Sequence, residues 1–201
     1  MRINFGIEKA NLQYGETIVI QGAGGLGLNA AAVAKEFGAT VIVIDGVESR
    51  LTMAKTFGAD YLININEYDT LEKRTQTVLE LTGGKGADVV MELTGVPAAF
   101  NEGIHLVRPA GRYVSIGNIF PGKMMSFDPG LMTRKSITII SVVRYNPWYL
   151  NKALQFISKT IHKYPFADML DAEFDLSEIG EALDRSAKRE VTRACIVVSR
   201  D

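Results

Sequence analysis

Thr17-Ile18-Val19-Ile20-Gln21-Gly22-Ala23-Gly24-Gly25-Leu26-Gly27 is the stretch on which the fold turns. Its first five residues are rich in β-branched side chains and read as a strand. The alanine-rich run from Leu26 to Phe37 reads as a helix, and Gly38 ends it. The glycines between them follow the pattern G-x-G-x-x-G, and the strand–turn–helix setting gives each a task. Gly22 permits a tight turn. Gly24 lets the backbone approach a pyrophosphate. Gly27 lets the helix lie close to the strand. With Gly25 and Leu26, the helix start offers unpaired N–H groups and a positive dipole end to phosphate. The competing reading is a glycine-rich turn without a ligand, and the strand–helix setting disfavours it.

The same rhythm continues outward. Thr40 to Asp45 is apolar on both faces, as a parallel strand covered on both sides should be. Glu48 to Phe57 reads as a helix, Tyr61 to Ile65 as a strand and Leu71 to Leu81 as a helix ended by Gly83-Gly84. The second half gives a strand at Ala87 to Met91 and a helix at Ala98 to Val107, with Pro97 near its start. Strands follow at Arg112 to Gly117 and Ser136 to Val142, separated by a loop at 118–130. Leu150, Leu154, Ile157 and Ile161 form one helical stripe. A helix at Leu176 to Ser186 and a strand at Ala194 to Ser199 close the chain. Two βαβαβ halves, roughly 15–65 and 86–142, predict an α/β fold. Its core is a doubly wound parallel sheet of six main strands in a three-layer αβα sandwich, the Rossmann arrangement. Residues 15–145 are expected to form the dinucleotide-binding domain. Residues 1–14 lead into it, and 146–201 pack on the same domain.

Asp45 closes the second strand, 23 residues after Gly22. A carboxylate there can accept the ribose hydroxyls of an adenosine and repel a 2′-phosphate, which favours NAD over NADP. Arg50 either flanks the adenine or is an exposed helix residue. Leu93-Thr94-Gly95 and Ile116-Gly117-Asn118 follow the next two strands of the crevice, where ligands of open α/β sheets bind. Other chemistries lack their residues. No tyrosine has a lysine four residues on, and neither G-x-S-x-G nor G-x-x-x-x-G-K-[ST] occurs. A methyltransferase would share the glycine turn and the acid but not the third glycine.

Composition agrees with a globular domain. Of 201 residues, 47% are apolar and 22% charged, and the net charge of −1 argues against nucleic acid or a membrane surface as partner. No apolar run is long enough to span a bilayer, and MRINFGIEKA has no signal-peptide core, so a cytoplasmic protein is expected.

The segments 15–45 (GETIVIQGAGGLGLNAAAVAKEFGATVIVID), 46–60 (GVESRLTMAKTFGAD), 82–95 (TGGKGADVVMELTG) and 106–118 (LVRPAGRYVSIGN) resemble the cofactor domain of zinc-dependent medium-chain alcohol dehydrogenases. The resemblance runs from about residue 4 to the end. It implies a two-domain enzyme that moves hydride between an alcohol or carbonyl and a nicotinamide cofactor. The catalytic zinc lies in an N-terminal domain absent from this sequence, and Asn4 to Tyr14 resembles the helix leading out of it. By the same resemblance Gly22, Gly24, Gly25, Leu26 and Gly27 meet the pyrophosphate, Asp45 the ribose and Arg50 the adenine side. Leu93, Thr94, Ile116, Gly117 and Asn118 line the nicotinamide side, and Arg193 stands near the pyrophosphate. The resemblance also implies a homodimer through the edge strand 136–142.

No zinc is expected in this chain, and no catalytic residue. Zinc needs three ligands of the Cys, His or carboxylate kind. Cys195 is the single cysteine and sits in an apolar strand; His105 lies mid-helix and His162 at a helix end. Two readings of function remain. The chain is the NAD-binding part of a zinc-type dehydrogenase, inactive alone, or it is a stand-alone or vestigial NAD-binding module. The loop containing Phe120, Met124 and Met125 reads as ordinary surface.

Overall fold

A computed structural model describes residues 2–199 and divides the chain into two compact units, 1–159 and 160–201. The first unit is built on a parallel sheet. Strand β1 (Thr17–Gln21) lies between β2 (Thr40–Asp45) and β4 (Ala87–Glu92). β3 (Tyr61–Asn64) pairs with β2, β5 (Val107–Ser115) with β4, and β6 (Thr138–Ser141) with β5. The order is β3-β2-β1-β4-β5-β6, so the winding reverses between β1 and β4. That is the doubly wound order of dinucleotide-binding sheets.

Ile18, Val19 and Ile20 are all completely buried, and so are Val41 to Val43 and Val89 to Met91. Successive strand residues point to opposite faces, so both faces of the sheet are covered. The helices that flank it are α1 (Arg2–Lys9), α2 (Gly25–Glu36), α3 (Glu48–Thr56), α4 (Leu71–Leu81), α5 (Pro97–Leu106) and the short α6 (Pro129–Arg134). The helix α7 (Trp148–Thr160) follows. In α2, Leu28 and Ala30 to Ala34 are buried, and alanine at these positions lets the helix lie close to the strands. Gly38, with φ +76°, supports the left-handed turn that ends α2.

The end of α5 and the end of the 118–130 loop differ from the sequence reading. Val107 begins β5 rather than ending a helix, because the chain passes from α5 into the strand without a turn. The helix end is closed instead by Lys135, whose ammonium donates to the carbonyls of Ile104, His105 and Val107 at 3.0, 2.8 and 2.9 Å. The last two residues of the expected loop and the four that follow it form α6. Asp128 caps it by accepting from the N–H groups of Gly130 and Leu131, and Pro129 opens it. The segment 10–16 after α1 is pinned to the sheet by Arg112, whose guanidinium donates to the Ala10 carbonyl at 2.9 Å and pairs with Glu16.

The second unit holds β7 (Ala172–Asp175), α8 (Ile179–Ala187) and β8 (Ala194–Val197). β8 pairs in parallel with β7, a strand that the sequence reading did not register. AEFD is short, and only Phe174 in it is fully buried, so it carries little strand signal. The Asp171 carboxylate accepts from the backbone of Thr192 and Arg193 at 2.8 and 3.0 Å. Partial burial raises its pKa, and these N–H groups outweigh that and leave it below the usual value. No helix among the described residues is long and apolar enough to cross a membrane.

Candidate functional site

The carboxyl ends of β1, β2, β4 and β5 frame one crevice at the reversal point. Gly22 leaves β1 with φ +101°, and its N–H donates to the Ile44 carbonyl at 2.8 Å. A Cβ on Gly27 would stand 1.8 Å from the Gly22 carbonyl oxygen, so only glycine lets α2 begin this close to the strand. A Cβ on Gly24 would meet nothing within 4 Å. Gly24 is also the cap residue of α2, and as a glycine it supplies no side-chain hydrogen bond to that helix end. Within the turn, Gly24 and Leu26 are partly exposed while Gly22, Gly25 and Gly27 are buried. The turn thus presents open backbone at a helix N-terminus, the arrangement that suits an anion.

Asp45 closes the β2 side. Its Oδ2 accepts from the Ala23 N–H at 2.6 Å, and its Oδ1 from Gly46 and Val47 at 2.7 and 2.9 Å. The carboxylate therefore ties the glycine turn to the start of the next crossover, a task the sequence reading did not assign it. Arg50 is half-buried in the first turn of α3, five residues beyond Asp45.

The β4–β5 side is organised by a residue the sequence reading passed over. Glu92, the last residue of β4, is completely buried. Its Oε1 accepts from the Thr94 N–H and hydroxyl at 2.7 and 2.8 Å and from the Gly95 N–H at 2.7 Å. Its Oε2 accepts from the N–H groups of Gly117 and Asn118, both at 3.2 Å. Beside it in register, Gln21 is buried and donates to the Ala99 carbonyl and to Glu102 at 2.9 and 2.7 Å. Tyr113 is buried nearby with its hydroxyl unpaired. Burial first, and then the charges of Glu92 and Glu102, push that phenol up. The signal for Glu92 was partial: like Asp45 it is an acid ending an apolar strand, but it lacks the spacing from the phosphate-turn glycines that singled out Asp45.

Of the remaining expected residues, Leu93 and Thr94 are half-buried at the end of β4, and Gly117 and Asn118 lie beyond β5 with Asn118 exposed. The Ile116 side chain is buried, with its Cδ1 close to Gly6 of α1. A hollow of about 240 Å³ opens beside this segment, lined by Ser115, Ile116, Asn118, Ile119, Ser141 and Val142 among others. Arg193 belongs to the second unit, one residue before β8. Among the described residues, no group of three or more His, Cys, Asp or Glu could hold a metal ion. His105 directs its Nδ1 to the Asn101 carbonyl at 2.9 Å within its own helix.

Fold and crevice together define a dinucleotide-type α/β domain with a bare glycine turn at its switch point. The chain belongs to the zinc-binding dehydrogenase family, whose profile matches residues 25–159. It is 37% identical over 177 residues to the L-threonine 3-dehydrogenase of Pyrococcus furiosus, an alignment covering 83% of this chain and 49% of that protein. It is 34% identical over 187 residues to a sorbitol dehydrogenase of Halalkalibacterium halodurans, covering 88% and 53%. Among solved structures it is similar to an alcohol dehydrogenase from Thermotoga maritima, with a TM-score of 0.90 and 29% identity over 97% of this chain and 53% of that one. The chain spans about half the length of the curated relatives it matches.

Proposed function

We propose that the first unit binds NAD in the crevice between the ends of β2 and β5, as the cofactor-holding part of an oxidoreductase that moves hydride between an alcohol or carbonyl and NAD. The observation that carries this reading is the open, uncapped start of α2 at Gly24, set beside the Asp45 carboxylate. The pyrophosphate rests on the backbone of Gly24 to Gly27. The adenosine extends toward Asp45, whose remaining lone pair on Oδ2 accepts from the ribose, with Arg50 along the adenine. The other half of the dinucleotide extends over Leu93, Thr94, Ile116, Gly117 and Asn118. Bound NAD supplies the hydride acceptor; this chain's residues bind and orient it. The substrate and its activating groups belong to the portion of the relatives that this chain does not span, so the chain alone is expected to oxidise no alcohol.

Calorimetric titration with NADH and, separately, NADPH tests the reading. Asp45 favours a free 2′-hydroxyl over a 2′-phosphate, so NADH should bind at least about tenfold tighter, a difference of about 1.4 kcal/mol. Equal or reversed affinities would refute the NAD assignment, and binding of neither would refute the dinucleotide site.

Self-association through β6 belongs to the same proposal. β6 stands last in the sheet order, and Ile139 on it is 38% exposed. An edge of this kind invites pairing with a second copy. Light scattering at micromolar concentration should give twice the chain mass of 22.0 kDa, and a monomeric mass would reject the pairing.

A further inference from the structure

We propose that Glu92 is a positioning residue for the nicotinamide half of the site: its buried carboxylate clamps the loops after β4 and β5 into the one arrangement that receives the ring. The inference rests on the dinucleotide reading above and adds a residue to it.

Two glycines bring the loops together. Gly95 has φ +69°, and a Cβ on it would stand 3.1 Å from the Gly117 carbonyl oxygen. A Cβ on Gly117 would stand 2.5 Å from both the Gly95 nitrogen and Glu92 Oε1. The two backbones therefore touch, and the carboxylate lies directly beneath the contact. Its Oε1 serves the β4 loop and its Oε2 the β5 loop, so a single side chain spans residues 25 and 26 positions beyond it. All five hydrogen bonds are donated to Glu92.

Only an acceptor-only group answers five donors arranged this way. An amide presents one accepting oxygen and turns its NH2 toward N–H groups on the other side. An apolar side chain takes the acceptor away from the N–H groups of Thr94, Gly95 and Asn118, while Gly117 keeps its bond to the Glu92 main-chain carbonyl. A charge so deeply buried is a weak device for overall stability, and a fully hydrogen-bonded one is better suited to fixing one local conformation. A carboxylate needed only by its own turn would not reach a second loop. The clamp thus acts through Thr94, Gly95, Gly117 and Asn118. It should be felt by a ligand that carries the nicotinamide ring, and much less by one that lacks the ring.

The test compares NADH with ADP-ribose, which shares the adenosine and pyrophosphate but lacks the nicotinamide. Both are titrated by calorimetry into the full chain and into Glu92→Gln. The wild-type protein is expected to bind NADH about tenfold tighter than ADP-ribose. In E92Q that advantage should vanish while ADP-ribose affinity stays within about twofold. Amide exchange should speed up at Thr94, Gly95 and Asn118, whose N–H groups donate to the carboxylate, and stay unchanged at 22–27. A folded E92Q that keeps the wild-type ratio, or that loses both ligands equally, overturns the proposal. If E92Q does not fold, Glu92→Asp retains the charge and withdraws it by one methylene, and the same selective loss is expected; a folded E92D with the wild-type ratio overturns it. Failure of the wild-type chain to bind either ligand defeats the underlying dinucleotide reading, a result distinct from any seen only in the variants.

Discussion

Gly27→Ala is expected to lower the unfolding free energy by about 3 kcal/mol and to remove measurable NADH binding. The added methyl would stand 1.8 Å from the Gly22 carbonyl oxygen and 2.8 Å from its carbonyl carbon. Both atoms are backbone, so no side chain can swing aside. Relief requires α2 to move away from β1, and α2 is held by buried Leu28 and Ala30 to Ala34 along its length. The cost therefore falls on core packing as well as on the turn. Gly24→Ala is the matched control. Its methyl meets nothing within 4 Å, and φ −70° with ψ −176° suits any residue. That change should cost less than about 1 kcal/mol, the usual loss on placing alanine at a helix cap. It should still weaken NADH, because the methyl occupies the space the phosphates approach. Urea titrations of the two variants, read with calorimetry, separate the roles. A Gly27→Ala protein as stable as the wild type would show that the helix start is not fixed by this close approach.

The contrast between these two glycines bears on what a sequence can disclose. The strand–turn–helix unit was legible because its signals are local: β-branched residues, spaced glycines and an alanine-rich run adjoin one another. The doubly wound parallel sheet followed, since apolar strands covered on both faces and joined by helices have few ways to wind. The ends of α5 and β5 were less legible. What closes α5 is Lys135, some thirty residues later, which no local pattern can announce. β7 was missed because AEFD takes its identity from pairing with Ala194–Val197 rather than from its own side chains. Glu92 was missed for a related reason. Its role depends on Gly117 and Asn118 converging on it from the next crossover. Asp45 was singled out by its spacing from the glycines, but its bond to Ala23 could not be read that way. Two carboxylates, each ending a strand that adjoins β1, thus hold the two sides of the crevice in shape.

That double duty of Asp45 makes Asp45→Asn the more informative substitution. One oxygen now accepts from Ala23 and the other from Gly46 and Val47. The amide has one accepting oxygen, so one of these connections must break and an NH2 must face a backbone N–H. Either break loosens the rim on which the ribose and pyrophosphate rest, so NADH affinity should fall about tenfold. The loss of charge acts in the opposite sense on NADPH. Two unit charges about 4 Å apart repel by about 4 kcal/mol at an effective dielectric constant near 20, and solvent and salt reduce this at a half-buried site. Removing that repulsion should more than offset the loosened turn for NADPH. The ratio of NADH to NADPH affinity is therefore expected to drop about a hundredfold, equivalent to about 2.8 kcal/mol. Calorimetry with both nucleotides on both proteins measures it directly. Equal losses for the two nucleotides would mean that Asp45 serves the turn alone and that discrimination lies elsewhere, with Arg50 the next residue to replace. A ratio that collapses while NADPH tightens would show that one carboxylate both shapes the phosphate turn and selects the nucleotide placed on it.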